Sequence, residues 1–258
     1  MSLAQSRKLA FCLIIASLMA GGCALSPKTK IVAQDIPVTT GTTFAAYQNS
    51  GLEATRTVSF DVKGPWDFTQ RSGDAIFRSR LVKVSQAPAN GQFPEADYAE
   101  EVFPSVQSGD VPLFNFISRS ASALSVYGQS SVDSDGTPTF KRYTNPERLL
   151  VFPAAVGSSW TDTIASKDTP ARKYTVARTV VARGEVLTPA GAFFDCLMVR
   201  VVREPVAAGK QTERTVMYVW WAPGIGPVAA VGSQAGETKT LFTQAAYIWR
   251  LQSYNIKK

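Results

Sequence analysis

Three thiols and no imidazole define the covalent chemistry open to this chain of 258 residues: cysteine stands at 12, 23 and 196, and histidine nowhere. Without histidine there is no Ser-His-Asp or Cys-His pair and no imidazole ligand for a metal. A Gly-rich phosphate loop, a G-x-S-x-G elbow and paired-cysteine metal spacing are missing too. The adjacent carboxylates Glu100 and Glu101 remain for acid–base work of the glycosidase kind, although acidic neighbours are commonplace in loops. Asp133-Ser134-Asp135-Gly136 opens like a calcium loop but lacks the third acidic position and the distant glutamate, so it reads better as a hairpin turn. Cys196 lies among Phe193, Phe194, Leu197 and Val199, which marks it as a small buried hydrophobe with no base to activate it. The expectation is a protein with no catalytic residues, no metal and no cofactor.

Cys23 has a different setting. Arg7 and Lys8 precede a twelve-residue apolar run, Leu9 to Ala20, and small residues follow, which is the layout of a secretory signal. The run is too short to span a bilayer, which takes about 20 apolar residues. The junction Ala20-Gly21-Gly22-Cys23 resembles a lipobox, the place where a lipoprotein signal peptidase cuts ahead of a cysteine already carrying diacylglycerol. Ala20 stands where a lipobox usually has leucine. The resemblance implies a bacterial lipoprotein lipidated on Cys23, with acyl chains such as palmitate as its membrane anchor. Ala24, in place of an aspartate, implies the outer membrane, facing the periplasm. Cys12 leaves with the signal and Cys23 is taken by lipid, so Cys196 has no disulfide partner and the core alone must stabilise the fold.

With 45% hydrophobic residues the chain can bury a sizeable core. Arg7 and Lys8 account for two of the +7 formal charges. The remaining basic residues are scattered, so no nucleic-acid partner is expected, and they read as ordinary solubilising charge or a weak attraction to lipid headgroups. The expected organisation is a signal at 1–22, a lipidated N-terminus and tether at 23–53, and a single β-rich domain at 54–258. Within the tether, Thr43 to Tyr47 reads as a short helix or an initial strand.

From Ala54 onward apolar residues recur with period two, the mark of strands with one buried face. Val58, Phe60 and Val62 alternate against Thr57, Ser59 and Asp61, and Ile76 to Val84 reads as the next strand across a turn at Arg71 to Asp74. Leu124 and Val126 continue more weakly, followed by Lys173 to Ala182, by Leu197, Val199 and Val201, and by Thr212 to Trp221 beyond a turn at Ala207 to Lys210. Thr240 to Leu251 places Leu241, Tyr247, Trp249 and Leu251 on one side and Gln244, Arg250 and Gln252 on the other. Between Gln86 and Asp110 the pattern breaks, predicting a long loop with a short helix near Asp97 to Val102 that either docks a partner or has no role. The fold expected is mainly β: a curved, largely antiparallel sheet, half-barrel or sandwich-like, with few short helices.

Three segments, Phe152 to Trp160, Leu187 to Cys196 and Tyr218 to Val228, together resemble an uncharacterised family of β-rich bacterial envelope domains. The family patterns are "vGxxW", "vPAGtFxc" and "yYAPGvGlVk", and Pro227 and Ala229 depart from the last. The resemblance implies a curved antiparallel sheet and brings no catalytic residues. Pro189-Ala190-Gly191 and Pro223-Gly224-Ile225-Gly226 suit tight connections between strands, with Trp160, Trp220 and Trp221 packed at sheet ends. Adjacent Trp220 and Trp221 must also point to opposite faces, so one can line a ligand cavity. Trp249 is a third aromatic candidate for ligand binding.

These readings converge on a membrane-anchored, non-enzymatic binding module in the periplasm, taking an apolar ligand, a glycan or an envelope protein. The alternative is a structural or assembly component of an envelope export or surface-polysaccharide apparatus. A carboxylate-based hydrolase comes third.

Overall fold

The computed structural model describes residues 29–69, 75–103, 111–166, 173–206 and 211–257. The signal segment, Cys23 and the turns expected at 71–74 and 207–210 lie outside them. The strands are β1 (Lys30–Ile31), β2 (Thr43–Asn49), β3 (Trp66–Asp67), β4 (Ala75–Lys83), β5 (Tyr98–Phe103), β6 (Leu113–Arg119), β7 (Ala123–Val132), β8 (Pro138–Val151), β9 (Ala154–Ala155), β10 (Ser159–Ala165), β11 (Lys173–Thr188), β12 (Gly191–Pro205), β13 (Thr215–Ala222), β14 (Gly226–Ser233) and β15 (Ala245–Asn255). A single helical turn, α1 (Ala54–Thr57), and a few 3-10 turns complete the described residues. The chain is mainly β, as the alternation predicts.

Two antiparallel meanders, β10 to β15 and β2 to β8, merge into one sheet because β15 pairs with β2. β4 follows β2 directly in this order, while β3 adds to β11 in parallel and β1 pairs with β9 apart from the main sheet. Register shifts in β11–β12, β13–β14, β14–β15, β15–β2, β6–β7 and β7–β8 each add local twist. The sheet therefore curls until its two edges, β8 and β10, face each other, without a continuous ladder closing it into a barrel. Side chains bridge that seam. Asn145 Nδ2 donates to Thr163 O at 3.2 Å, Trp160 Nε1 to Arg148 O at 2.8 Å, and the Arg148 amide to Asp162 Oδ2 at 2.9 Å. Arg148 Nε reaches Asp162 Oδ1 at 2.7 Å. Arg178, 3% exposed, pairs with Glu147 and lies 3.7 Å from Asp162.

Three apolar clusters fill the two faces. One draws on β4, β6, β7, β8 and β10 to β13 together (Leu81, Ile117, Leu124, Leu150, Trp160, Val199), so it occupies the concave side. The second, outside β11 to β15, packs Trp220, Tyr218 and Met198 against Ala54, Val58, Phe60, Trp66 and Phe68. The third, outside β4 to β7, is centred on Phe93 stacked on Phe116 at 3.8 Å. The central strands β12 to β14 are thus covered on both faces, which explains why clean alternation is lost there, whereas the edge strand β10 alternates with one face exposed.

Several sequence expectations are corrected. The 57–62 alternation does not mark a strand: after α1, Val58 and Phe60 cover the outer cluster as irregular chain, and Val62 stays exposed. The helix expected at 97–102 is strand β5, since Ala99 and Val102 are buried within a strand that pairs over six residues with β4 and over five with β6. The 86–103 segment is no free excursion, because Phe93 plugs the third cluster and Arg142 holds Gln92 O and Glu95. On the last strand Arg250 is buried at 2% because β15 is central, and Leu241 is exposed because it lies in irregular chain before β15 begins. Folded chain begins before residue 54, since β2 sits in mid-sheet and Ile31, Ala33, Ile36 and Val38 pack into the concave cluster. β6, β8 and β14 had no counterpart among the predicted strands.

Replacing Glu147 and Asp162 together by alanine should destabilise the fold by about 3–5 kcal/mol, because it strips a buried guanidinium of both counter-charges. Adding Arg178→Met should recover much of that loss in a urea titration. A triple variant no more stable than the alanine pair would show that these charges are not what holds the seam.

Candidate functional site

The concave face carries an apolar pocket of about 110 Å³. Phe44 of β2, Phe77, Ser79 and Leu81 of β4, Glu100 of β5 and Ile117 of β6 line one side. Trp221, the β13–β14 turn from Ile225 to Pro227, and Trp249 of β15 line the other, and Ile36, Pro37 and Val38 lie across it. These side chains converge because period-two alternation in each strand aims every second residue inward. A register shift beside Trp221 sets Pro227 opposite it, and Val228 and Ala229 both join the outer cluster.

The segment over the pocket is fixed by polar ties. The Asp35 carboxylate accepts from the Val32 amide at 3.0 Å, and Arg119 donates to Ile36 O and, at 3.4 Å, to Ala33 O. The Gly224 amide donates to Asp35 O at 2.7 Å, with Gly224 at φ 80°. A side chain other than glycine is strained at that φ, so the turn that ties down this segment depends on Gly224.

Glu100 is the ionisable group in the lining. Asn115 Nδ2 donates to its Oε2 at 3.1 Å, and Gln129 Nε2 donates to Asn115 Oδ1 at 3.0 Å. Burial pushes its carboxyl above the ordinary carboxylate range, and hydrogen bonds from Asn115 and Ser79 partly offset this. The pocket therefore presents a greasy wall with one acceptor. An apolar cavity of ~150 Å³ holds benzene, so this smaller pocket, open on one side, suits the edge of one ring or a short alkyl end, with any donor turned to Glu100.

The expected site residues are distributed as follows. Trp220 and Trp221 do point to opposite faces. Trp220 is buried in the outer cluster, edge-on to Trp66 at 5.8 Å and Phe68 at 4.9 Å, whereas Trp221 and Trp249 line the pocket. Glu100 and Glu101 occupy opposite faces of β5, and Glu101 pairs with Arg80 rather than with its neighbour, so they form no two-carboxylate cleft. Cys196 is fully buried, its thiol pushed up to about 12 by burial first and by the Asp195 charge second, and it donates to Phe193 O at 3.4 Å. Asp133 to Gly136 is the β7–β8 turn. Cys23 lies outside the described residues. Sequence reading missed Ser79 and the Ile36-Pro37-Val38 stretch. The first was legible as an inward position of the predicted 76–84 strand, and the second as an apolar triplet inside a supposed tether.

No family model matches the chain, and no curated protein matches it. Among solved structures it is similar to a candidate lipoprotein of Parabacteroides distasonis, at 14% identity over 87% of this chain and 99% of that one, TM-score 0.38. It is also similar to a candidate exported protein of Bacteroides fragilis with a YmcC-like fold, at 16% identity over 85% and 98%, TM-score 0.41.

Proposed function

We propose that the protein is an envelope lipoprotein, anchored through Cys23 to the periplasmic face of the outer membrane, whose sheet holds the apolar end of a small ligand without chemically changing it. The anchor rests on the order of charge, apolar run, small residues and cysteine over Arg7 to Cys23, and the choice of membrane on Ala24. The binding role rests on the pocket between Trp221 and Trp249, where an otherwise apolar lining holds the Ser79–Glu100 pair as its polar feature. Small apolar sites with a few placed polar groups bind and orient ligands.

Several experiments test the reading. Cys23→Ala should block lipidation and with it the cut ahead of residue 23, so the chain should keep its signal, take up no labelled palmitate and run more slowly on a gel than the wild type. Wild-type mobility with undiminished palmitate labelling would remove the anchor. Calorimetric titration with benzyl alcohol should show saturable binding that is lost in Ile225→Trp, which fills the mouth from a half-buried turn position. Absence of saturable heat in the wild type overturns the binding role.

Glu100 gives a signature of its own. Its folded-state value lies above the unfolded one of about 4.3. Its contribution is therefore complete below the unfolded value and is lost as pH rises through the raised folded value. Glu100→Gln cannot ionise, so its stability should fall less over that window, ending at least level with wild type at neutral pH. A loss in the variant that grows toward neutral pH refutes a desolvated carboxyl.

A further inference from the structure

On the outer side of β11 and β12 an open groove runs beside Thr29, the first described residue. Three large apolar side chains around it face solvent: Val62 at 46%, Val156 at 54% and Phe194 at 66% exposure. They come from distant parts of the chain, namely the irregular 58–65 stretch, the turn after β9 and the start of β12. Isolated exposed hydrophobes are ordinary, but a cluster around one groove marks a contact surface. Phe194 has the highest exposure of any large hydrophobe among the described residues.

We propose that this face is the surface the domain lays on the bilayer, with Phe194, Val156 and Val62 dipping into the headgroup region. The proposal rests on the lipidation of Cys23 argued above. Cys23 stands six residues before Thr29, and a chain of that length reaches at most ~21 Å at 3.3–3.6 Å per residue. A lipid held at Cys23 therefore keeps the rim of this groove within that distance of the membrane. The charged side chains lining the groove carry no positive excess, with Lys63 and Arg183 against Asp61, Glu185 and Asp195. Arg183 and Asp195 neutralise each other directly. Contact is then carried by apolar insertion more than by attraction to anionic headgroups, which would otherwise fade with salt. It adds to the anchor and fixes which way the domain faces.

The test uses full-length lipidated protein reconstituted into phosphatidylethanolamine–phosphatidylglycerol vesicles, labelled with an environment-sensitive fluorophore at Phe194→Cys. Asp135→Cys, on the exposed β7–β8 turn, is the control, and the buried Cys196 stays unlabelled. Brominated lipid should quench the label at 194 several-fold more than at 135, in low and in high salt alike. Protein that stays off the vesicles, with bare Cys23 by mass spectrometry, removes the anchor and this face with it. Protein held by its lipid yet quenched equally at both positions removes the face alone. Quenching at 194 that disappears in high salt also overturns it, since apolar insertion does not respond that way. Shielding of 194 only after envelope extract is added assigns the patch to a protein partner and overturns the bilayer reading.

Discussion

A sheet that curls on itself without a closing ladder must decide what to do with its two open edges, and here the answer is a buried guanidinium. Arg178 projects from β11 to the concave side and meets Glu147 of β8 and Asp162 of β10, while Arg148 completes Asp162 from across the gap. Everything inside the curl depends on this junction. Leu150, Trp160 and Ile164 share one cluster across it, and a single backbone bridge between Tyr143 and Ser166 joins the edges farther along. Charge pairs are an expensive substitute for a ladder, since both partners lose hydration. They have one property a ladder lacks: they join the edges without requiring the strands to lie in register.

Behind the seam, the interior is filled unevenly. Where β10 to β13 face β6 to β8 the side chains interlock, and where β2, β4 and β15 meet the β13–β14 turn they leave a gap. The N-terminal stretch partly fills it with Ile36, Pro37 and Val38, held by Arg119 and by the Gly224 amide. A carboxyl placed against such a gap pays in desolvation, yet Glu100 is hydrogen-bonded to Asn115, which is in turn bonded to Gln129. A buried polar chain satisfied in this way keeps one arrangement of β5, β6 and β7 over others. The outer side of the same sheet is built on aromatic residues that stack on one another, as Phe60 does on Tyr218 at 4.2 Å, while Tyr218 and Trp66 turn their polar atoms to the Thr240 and Ser59 carbonyls.

Much of the architecture was legible because it follows from alternation and turn chemistry. Ile76 to Val84, Lys173 to Ala182 and Leu197 to Val201 correspond to strands β4, β11 and β12, and the proline–glycine connections at 189–191 and 223–226 are the hairpin turns expected. The faces of Trp220 and Trp221 followed from adjacency alone. Two things misled: residues paired or covered on both sides show no polar face, and at 57–62 irregular chain lying on the outer cluster imitates the alternation of a strand. Tyr98-Ala99-Glu100-Glu101-Val102 reads as helix because its two glutamates break the period, yet one is held by an asparagine and the other by an arginine, so both tolerate a strand. Arg250 looked like a solvent position and lies buried. The pocket itself was not readable, because its walls come from strands that are neighbours only after the curl has formed.

The pairing of β15 with β2 has a consequence in time. Ile248 lies opposite Asn49, so the middle of the sheet joins segments separated by nearly the whole described chain, and contacts of such long range are the slow ones to form. Each meander can zip locally as it becomes available. Neither can be joined to the other, nor the curl drawn shut, until the last strand arrives. However early the first strands emerge, the molecule is completed from its centre and completed late.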